Sequence, residues 1–192
     1  VGIPNFANLF MTSPEINIDP TIAGSVVGTY WFLMMIGRLC GASIGAKVSS
    51  RAMLTVVSTV GIALVLGAIF CADNILVNMP VFKSDISFGF AQVPVNVMLL
   101  ILCGLCTSVM WGGIFNLAVE GLGKYTAAAS GLFMVMVCGG GILPLIQGGV
   151  ADFAGFLNSY WVIALGLAYI LFYAAIGSKN VNTDIPTDDY EA

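Results

Sequence analysis

Four residues spaced four apart, Gly104, Ser108, Gly112 and Asn116, form the most chemically suggestive stripe in the sequence. On a helix such a spacing keeps side chains along one slowly winding face. Thr107 and Trp111 border it. Small residues in this pattern let two helix backbones approach, with Ser or Asn bonding across the seam. The same face can also wall a cavity, with Asn116 hydrogen-bonding a hydroxyl-rich ligand and Trp111 covering an apolar ring face. The pattern alone is compatible with either reading.

A second constellation is Gly139-Gly140-Gly141 followed by Pro144 and Gln147. Proline removes one backbone hydrogen bond, and its ring crowds the carbonyl four residues earlier, that of Gly140. Glycines ahead of it favour a bend or hinge. Gln147, one turn beyond, is the polar side chain placed to use the freed backbone, and interrupted helices of this kind build binding sites and gates in membrane carriers. A static kink is the plainer alternative. Gly37, Gly41 and Gly45, with Gly24 and Gly28, read as a packing ladder, and Tyr30 and Trp31 as either entrance-lining or interfacial aromatics.

Other chemistries find no support. The chain has no histidine, which removes His-ligated metals, Ser-His-Asp hydrolysis and histidine proton relays. Gly121-Leu122-Gly123-Lys124 lacks the glycine five residues before Gly123 that a phosphate-binding loop needs, because Ala118 stands there. Cys103-x-x-Cys106 has no second pair, so neither a metal site nor a cofactor is expected. The remaining cysteines, Cys40, Cys71 and Cys138, also lie in apolar runs and read as small hydrophobes. Nothing points to an enzyme, and with no basic patch nucleic acid is excluded as a partner.

The elements that must position these residues are set by composition. Hydrophobic residues make up 59% of the 192 and charged residues only 8%, against roughly a quarter charged in soluble domains. A lipid bilayer removes the need for a charged surface. Five apolar segments are each long enough to span it as helices, which take ~20 residues: Thr21–Ala46, Met53–Ala72, about Pro94–Val119, about Ala127–Ala151, and Ser159–Gly177. Ser13-Pro14-Glu15 and Asp19-Pro20 are helix-start signals before the first. Asp73–Gln92 reads as a long loop and Asp152–Asn158 as a shorter one. Val1–Thr12 is apolar but too short to cross, and is expected to be the end of a truncated helix. Residues 1–177 then form one transmembrane helical unit, with 178–192 a polar tail.

Lys47, Arg51, Lys124 and Lys179, with Arg38 near its helix end, fall on one side when the spans alternate, and Lys83 alone on the other. Basic loops stay inside, so the tail is expected in the cytoplasm. No Asp, Glu, Lys or Arg falls near the middle of a complete span. Proton-driven carriers use a membrane-embedded carboxylate, so any such group is expected in a part of the protein outside this sequence.

The run from Gly113-Ile114-Phe115-Asn116 through Val119-Glu120-Gly121-Leu122-Gly123-Lys124-Tyr125-Thr126, continuing to Gly139-Gly140-Gly141-Ile142-Leu143-Pro144, Gln147-Gly148 and Ala151-Asp152, resembles the fucose/glucose–galactose permease branch of the major facilitator superfamily. Gly37-Arg38-Leu39-x-Gly41 is similar to that branch's eighth helix end. The resemblance implies an all-α membrane protein, a C-terminal six-helix bundle whose first helix is truncated. It also implies hexose or deoxyhexose uptake by alternating access in the bacterial inner membrane, the coupling proton or sodium being handled by the missing N-terminal half. It raises Asn5, Asn8, Trp111 and Asn116, beside Gln147, as sugar-binding candidates. Gly45 stands where the superfamily often has an acid, Gly112-Gly113 where Pro-Thr is usual, and Trp111 in place of a phenol. The competing reading is a membrane structural or assembly subunit with no transport activity of its own.

Overall fold

A computed structural model of the chain describes residues 2–45, 47–71, 75–83 and 87–179. Its elements run α1 (Gly2–Thr12), α2 (Pro20–Gly45), α3 (Ser50–Phe70), β1 (Leu76–Phe82), β2 (Phe88–Pro94), α4 (Val95–Val119), α5 (Thr126–Met136), α6 (Gly139–Ala154) and α7 (Phe156–Phe172), closed by a π turn, Tyr173–Gly177. Counting α5 and α6 together, five helical stretches among the described residues are long and apolar enough to cross a membrane. In lipid every backbone group must pair within its own segment, and only a helix achieves that at these lengths.

Local signals set the helix ends. Asp19 Oδ1 accepts the Thr21 amide at 2.8 Å and Pro20 occupies the first helical position, so α2 opens where Asp19-Pro20 predicts. That amide bond also holds the Asp19 carboxyl below its ordinary range. Ser49 Oγ accepts from the Ala52 amide at 3.3 Å and starts α3. Gly155, at φ +89°, alone separates α6 from α7, so the break predicted over Asp152–Asn158 shrinks to one residue.

The architecture is built around α4, which packs against α2 on one side and α3 on the other. Val97, Leu100, Ile101 and Cys103 of α4 are almost completely buried. Helix α7 lies on α3 and α6, while α1 rests on α2, α4 and α7 through Ile3, Phe6, Phe10 and Met11. Tyr160 of α7 is fully buried and donates its hydroxyl to the Ile3 carbonyl at 3.0 Å.

Two expectations need correction. The segment read as a loop, Asp73–Gln92, contains an antiparallel hairpin, with Val77 opposite Val93, Met79 opposite Ala91 and Val81 opposite Gly89. Met79, Val81, Ala91 and Val93 are buried on its inner face, in the period-two alternation of a half-buried strand. Pro80 argues against a strand only in a sheet interior. A two-stranded ribbon has an open edge on both sides and tolerates it. The fourth span, read as a single stretch over Ala127–Ala151, is two helical pieces. Across residues 137–141 the amides of Val137, Cys138, Gly140 and Gly141 bond to carbonyls three residues back, at 2.8–3.3 Å. The break thus falls one residue before the glycine triplet.

The basic residues sort by end. Lys47 and Arg51 flank the α2–α3 turn, Lys124 follows α4 and Lys179 follows α7, whereas Lys83 follows β1 on the opposite side. Arg51 reaches across to the far end of the chain, donating through its guanidinium to the Ser178 carbonyl at 3.0 Å and to its hydroxyl at 3.3 Å. Of the polar tail predicted over 178–192, residues 180–192 lie outside the described residues.

Candidate functional site

The Gly104–Asn116 stripe divides into two parts. Its first half is a seam. A Cβ at Gly104 would lie 2.9 Å from the Tyr30 carbonyl oxygen and 3.1 Å from its ring, and one at Gly37 would strike the Ser108 side chain and lie 3.0 Å from the Leu105 carbonyl. Gly41 in turn sits against Val109. These contacts bring the α2 and α4 backbones together as small residues allow. The buried Tyr30 hydroxyl pairs with Thr107 Oγ1 at 3.0 Å and closes the seam on its border.

Beyond Ser108 the helices part. A Cβ at Gly112 would touch nothing among the described residues. Between α2, α4 and the start of α3 opens a cavity of about 600 Å³, walled by Trp111, Gly112 and Asn116 from α4, by Arg38 and Ala42 from α2, and by Ser50. That volume lies within the ~300–1,000 Å³ of small-molecule sites. Trp111 is half exposed, its indole held at 5.2 Å centroid distance from Phe133 of α5 at a 53° tilt. Phe133 also meets Phe115 edge-on at 5.5 Å. Asn116 is exposed and its amide makes no hydrogen bond among the described residues. It also borders a second cavity of about 570 Å³, with Arg51 and Glu120, that continues toward the basic end.

Arg38 is the residue that sequence reasoning missed, having been placed only near a helix end. Its guanidinium lies 3.9 Å from Met34 Sδ and makes no ion pair among the described residues. The signal was helical period: Arg38, Gly41, Ala42 and Gly45 share the α2 face that lines the cavity.

The structure does not gather all the predicted residues around that cavity. Asn5 is exposed and Asn8 half-buried, on the side of α1 turned away from its buried Phe6 and Phe10. Gln147 is completely buried, its amide nitrogen donating to Ser159 Oγ of α7 at 3.4 Å and its carbonyl oxygen pressed against Gly2 without a hydrogen-bond partner among the described residues. At Gly139, Gly140 and Gly141 a Cβ would meet nothing within 4 Å, and Pro144 follows inside α6. Among the described residues no cluster of His, Cys, Asp and Glu could hold a metal.

A helical membrane module with a polar-aromatic cavity between two of its spans is the architecture of a small-molecule carrier rather than a soluble binding domain. No family model and no solved structure matches the chain. It is 28% identical over 181 residues to a glucose/galactose transporter of Brucella abortus, a match covering 94% of this chain and 39% of that protein. It is 30% identical over 169 residues to a putative glucose/galactose transporter of Helicobacter pylori, covering 85% and 37%. Over 92 residues it is 33% identical to the L-fucose-proton symporter of Escherichia coli, covering 47% and 21%. The chain is similar to these sugar transporters over a stretch consistent with the C-terminal half of a major facilitator superfamily sugar transporter. It spans about two fifths of the length of the first two relatives. These relatives are transporters and not enzymes, and they do not favour the structural-subunit alternative.

Proposed function

We propose that the chain is the sugar-handling part of a cation-coupled symporter, importing a hexose or deoxyhexose by alternating access. The observation that carries this reading is the cavity in which Trp111, Asn116 and Arg38 converge between α2 and α4. A sugar ring offers an apolar face and a rim of hydroxyls. An indole covers the first, while an amide and a guanidinium bond the second. The relatives' substrates, glucose, galactose and L-fucose, are of this chemistry.

Depth along α4 separates the two α4 residues. At 1.5 Å per residue Trp111 lies ~6 Å from the helix centre at Thr107, and Asn116 ~14 Å. In this proposal Trp111 meets the ring near the midplane, and Asn116 meets the sugar on its way to the basic end, where the second cavity opens. Asn5, Asn8 and Gln147 belong to the other wall, with α1 and α6 turning them toward the sugar in another state. The break before Gly139-Gly140-Gly141 and Pro144 serves as the hinge for that change.

Coupling is assigned elsewhere. Among the described residues no carboxylate pairs with Arg38 or lies within the middle of a span. The proton- or sodium-linked group therefore belongs to the remainder of the transporter. The basic end and tail face the cytoplasm of a bacterial inner membrane, as the bias of Lys and Arg favours.

The test is radiolabelled hexose uptake by the full-length protein. Trp111→Ala or Asn116→Ala should raise KM or abolish uptake with normal membrane abundance. Unchanged kinetics in both would remove this cavity from the sugar path.

A further inference from the structure

A groove on the opposite side of Gly41 has a different character from the sugar cavity. Helices α2 and α3 are joined by a short turn yet barely touch, because each packs on α4 instead. The gap between them is a channel of about 400 Å³ walled by Cys40, Ile44 and Val48 of α2 and its following turn and by Val56 of α3, with Leu105 and Val109 of α4 as its floor. Its lining is almost wholly apolar, and Cys40, Ile44, Val48 and Val56 are exposed. In water such a channel would be costly. Hydrocarbon suits such a lining.

Its length and its mouth identify the occupant. Gly37 to Ile44 is seven residues, ~10 Å along α2, and one leaflet of a ~30 Å hydrocarbon core is ~15 Å deep. The channel lies in the half of α2 toward the basic end, within the depth that a single acyl chain occupies. At the interface end stands Lys47, whose amide bonds the Ile44 carbonyl at 2.9 Å and which precedes Val48 at the channel mouth. Lys47 is exposed and makes no ion pair among the described residues, whereas nearby Arg51 is held by Ser178. A cation with no ion-pair partner among the described residues, above an apolar channel within one leaflet, matches an anionic lipid.

We propose that the α2–α3 groove holds one acyl chain of an anionic phospholipid from the leaflet at the basic end, with its phosphate on Lys47. This site adjoins the sugar cavity, sharing Gly41, Met53 and Val109 with it, but the proposal depends only on the chain's membrane location. The bound lipid fills the gap left between α2 and α3 and fixes α2 against α4 from outside.

Native mass spectrometry of the full-length protein, titrated with phosphatidylglycerol or phosphatidylcholine, tests the assignment. Phosphatidylglycerol should bind more tightly by about fivefold, the equivalent of ~1 kcal/mol for one interfacial lysine. Lys47→Gln, in an exposed turn, should erase that preference, and Val56→Trp, pointing a larger ring into the groove, should remove tight binding of both lipids. Equal affinity for the two lipids in the unaltered protein, or a preference that survives both substitutions, would overturn the proposal.

Discussion

Gly104→Ala and Gly112→Ala are the same chemical change two turns apart on one helix, and the structure assigns them opposite effects. At Gly104 the new methyl would meet the Tyr30 backbone oxygen at 2.9 Å and its ring carbons at 3.1 and 3.3 Å. The oxygen belongs to the α2 backbone and cannot rotate away, so α2 and α4 must separate by several tenths of an ångström. Overpacking of this kind costs ~1–3 kcal/mol. It also strains the buried Tyr30–Thr107 hydrogen bond, for which ~0.6 kcal/mol is typical between membrane helices. At Gly112 the methyl enters open space, and replacing glycine within a helix gains up to ~1 kcal/mol. Each kcal/mol moves the melting temperature by ~2–4 °C for a unit of this size. Thermal unfolding of the full-length protein in detergent should therefore show Gly104→Ala lower by several degrees and Gly112→Ala unchanged or slightly higher. Equal shifts for the two variants, or a neutral Gly104→Ala, would refute the division of the stripe into a seam and a cavity wall.

Three further outcomes follow from single contacts. Gly155 holds φ +89° with open space around it, so Gly155→Ala should lose ~1–2 kcal/mol from backbone strain alone, read as a lower melting temperature that Gly149→Ala does not share. The Thr29 hydroxyl accepts the Phe82 amide at 2.9 Å while donating to the Ser25 carbonyl at 2.9 Å; Thr29→Val should speed hydrogen exchange at the hairpin amides, measured by mass spectrometry, without changing exchange in α7. Asp19 has a depressed pKa through its bond to the Thr21 amide, so its stabilisation is present above the unfolded carboxyl value near 3.8 and fades as pH falls through the folded value. Thermal melts should show Asp19→Ala below the unaltered protein at neutral pH, with the gap closing in acid.

The sequence made the spans legible because lipid imposes a long, uniform apolar run, and Asp19-Pro20 marked the start of α2 to within one residue, at Pro20 where Thr21 was expected. The hairpin was not legible. Its strands are seven residues each, interrupted by Pro80 and Gly89, and its inner face is set by packing on α2 and α4. Phe32 stacks on Phe82 at 4.9 Å with the rings within 4° of parallel, a contact between residues 50 apart that no local pattern announces. At the site, the Trp111–Asn116 pairing could be read from spacing because both lie on α4. Arg38 shares a helical period with Gly41, Ala42 and Gly45, but that face becomes a cavity wall only through the crossing of α2 and α4 at Gly37 and Gly41. Gln147 was linked to Pro144 by proximity in sequence, but its observed environment is set by Ser159 and Gly2, from elements at both ends of the chain.

What decides the character of each α4 residue is distance from the crossing point, not residue type. Glycine recurs at 104, 112 and 113 with identical chemistry, yet at 104 it admits a backbone oxygen, at 113 it faces Leu54 of α3 at 3.6 Å, and at 112 it faces empty space. The seam lies on the hairpin side of the cavity, and there α2 is also tied to the hairpin that leads into α4, through Thr29–Phe82 and the Phe32–Phe82–Phe88 ring cluster. On the other side the cavity separates them. Packed contacts with two-sided steric limits resist displacement, whereas a gap accommodates it. A shift of α2 against α4 is therefore easiest beyond Gly41 and Val109, at Trp111 and Asn116, the α4 side chains proposed to meet the sugar, and hardest at Tyr30, Gly37 and Gly104, the contacts about which it would pivot.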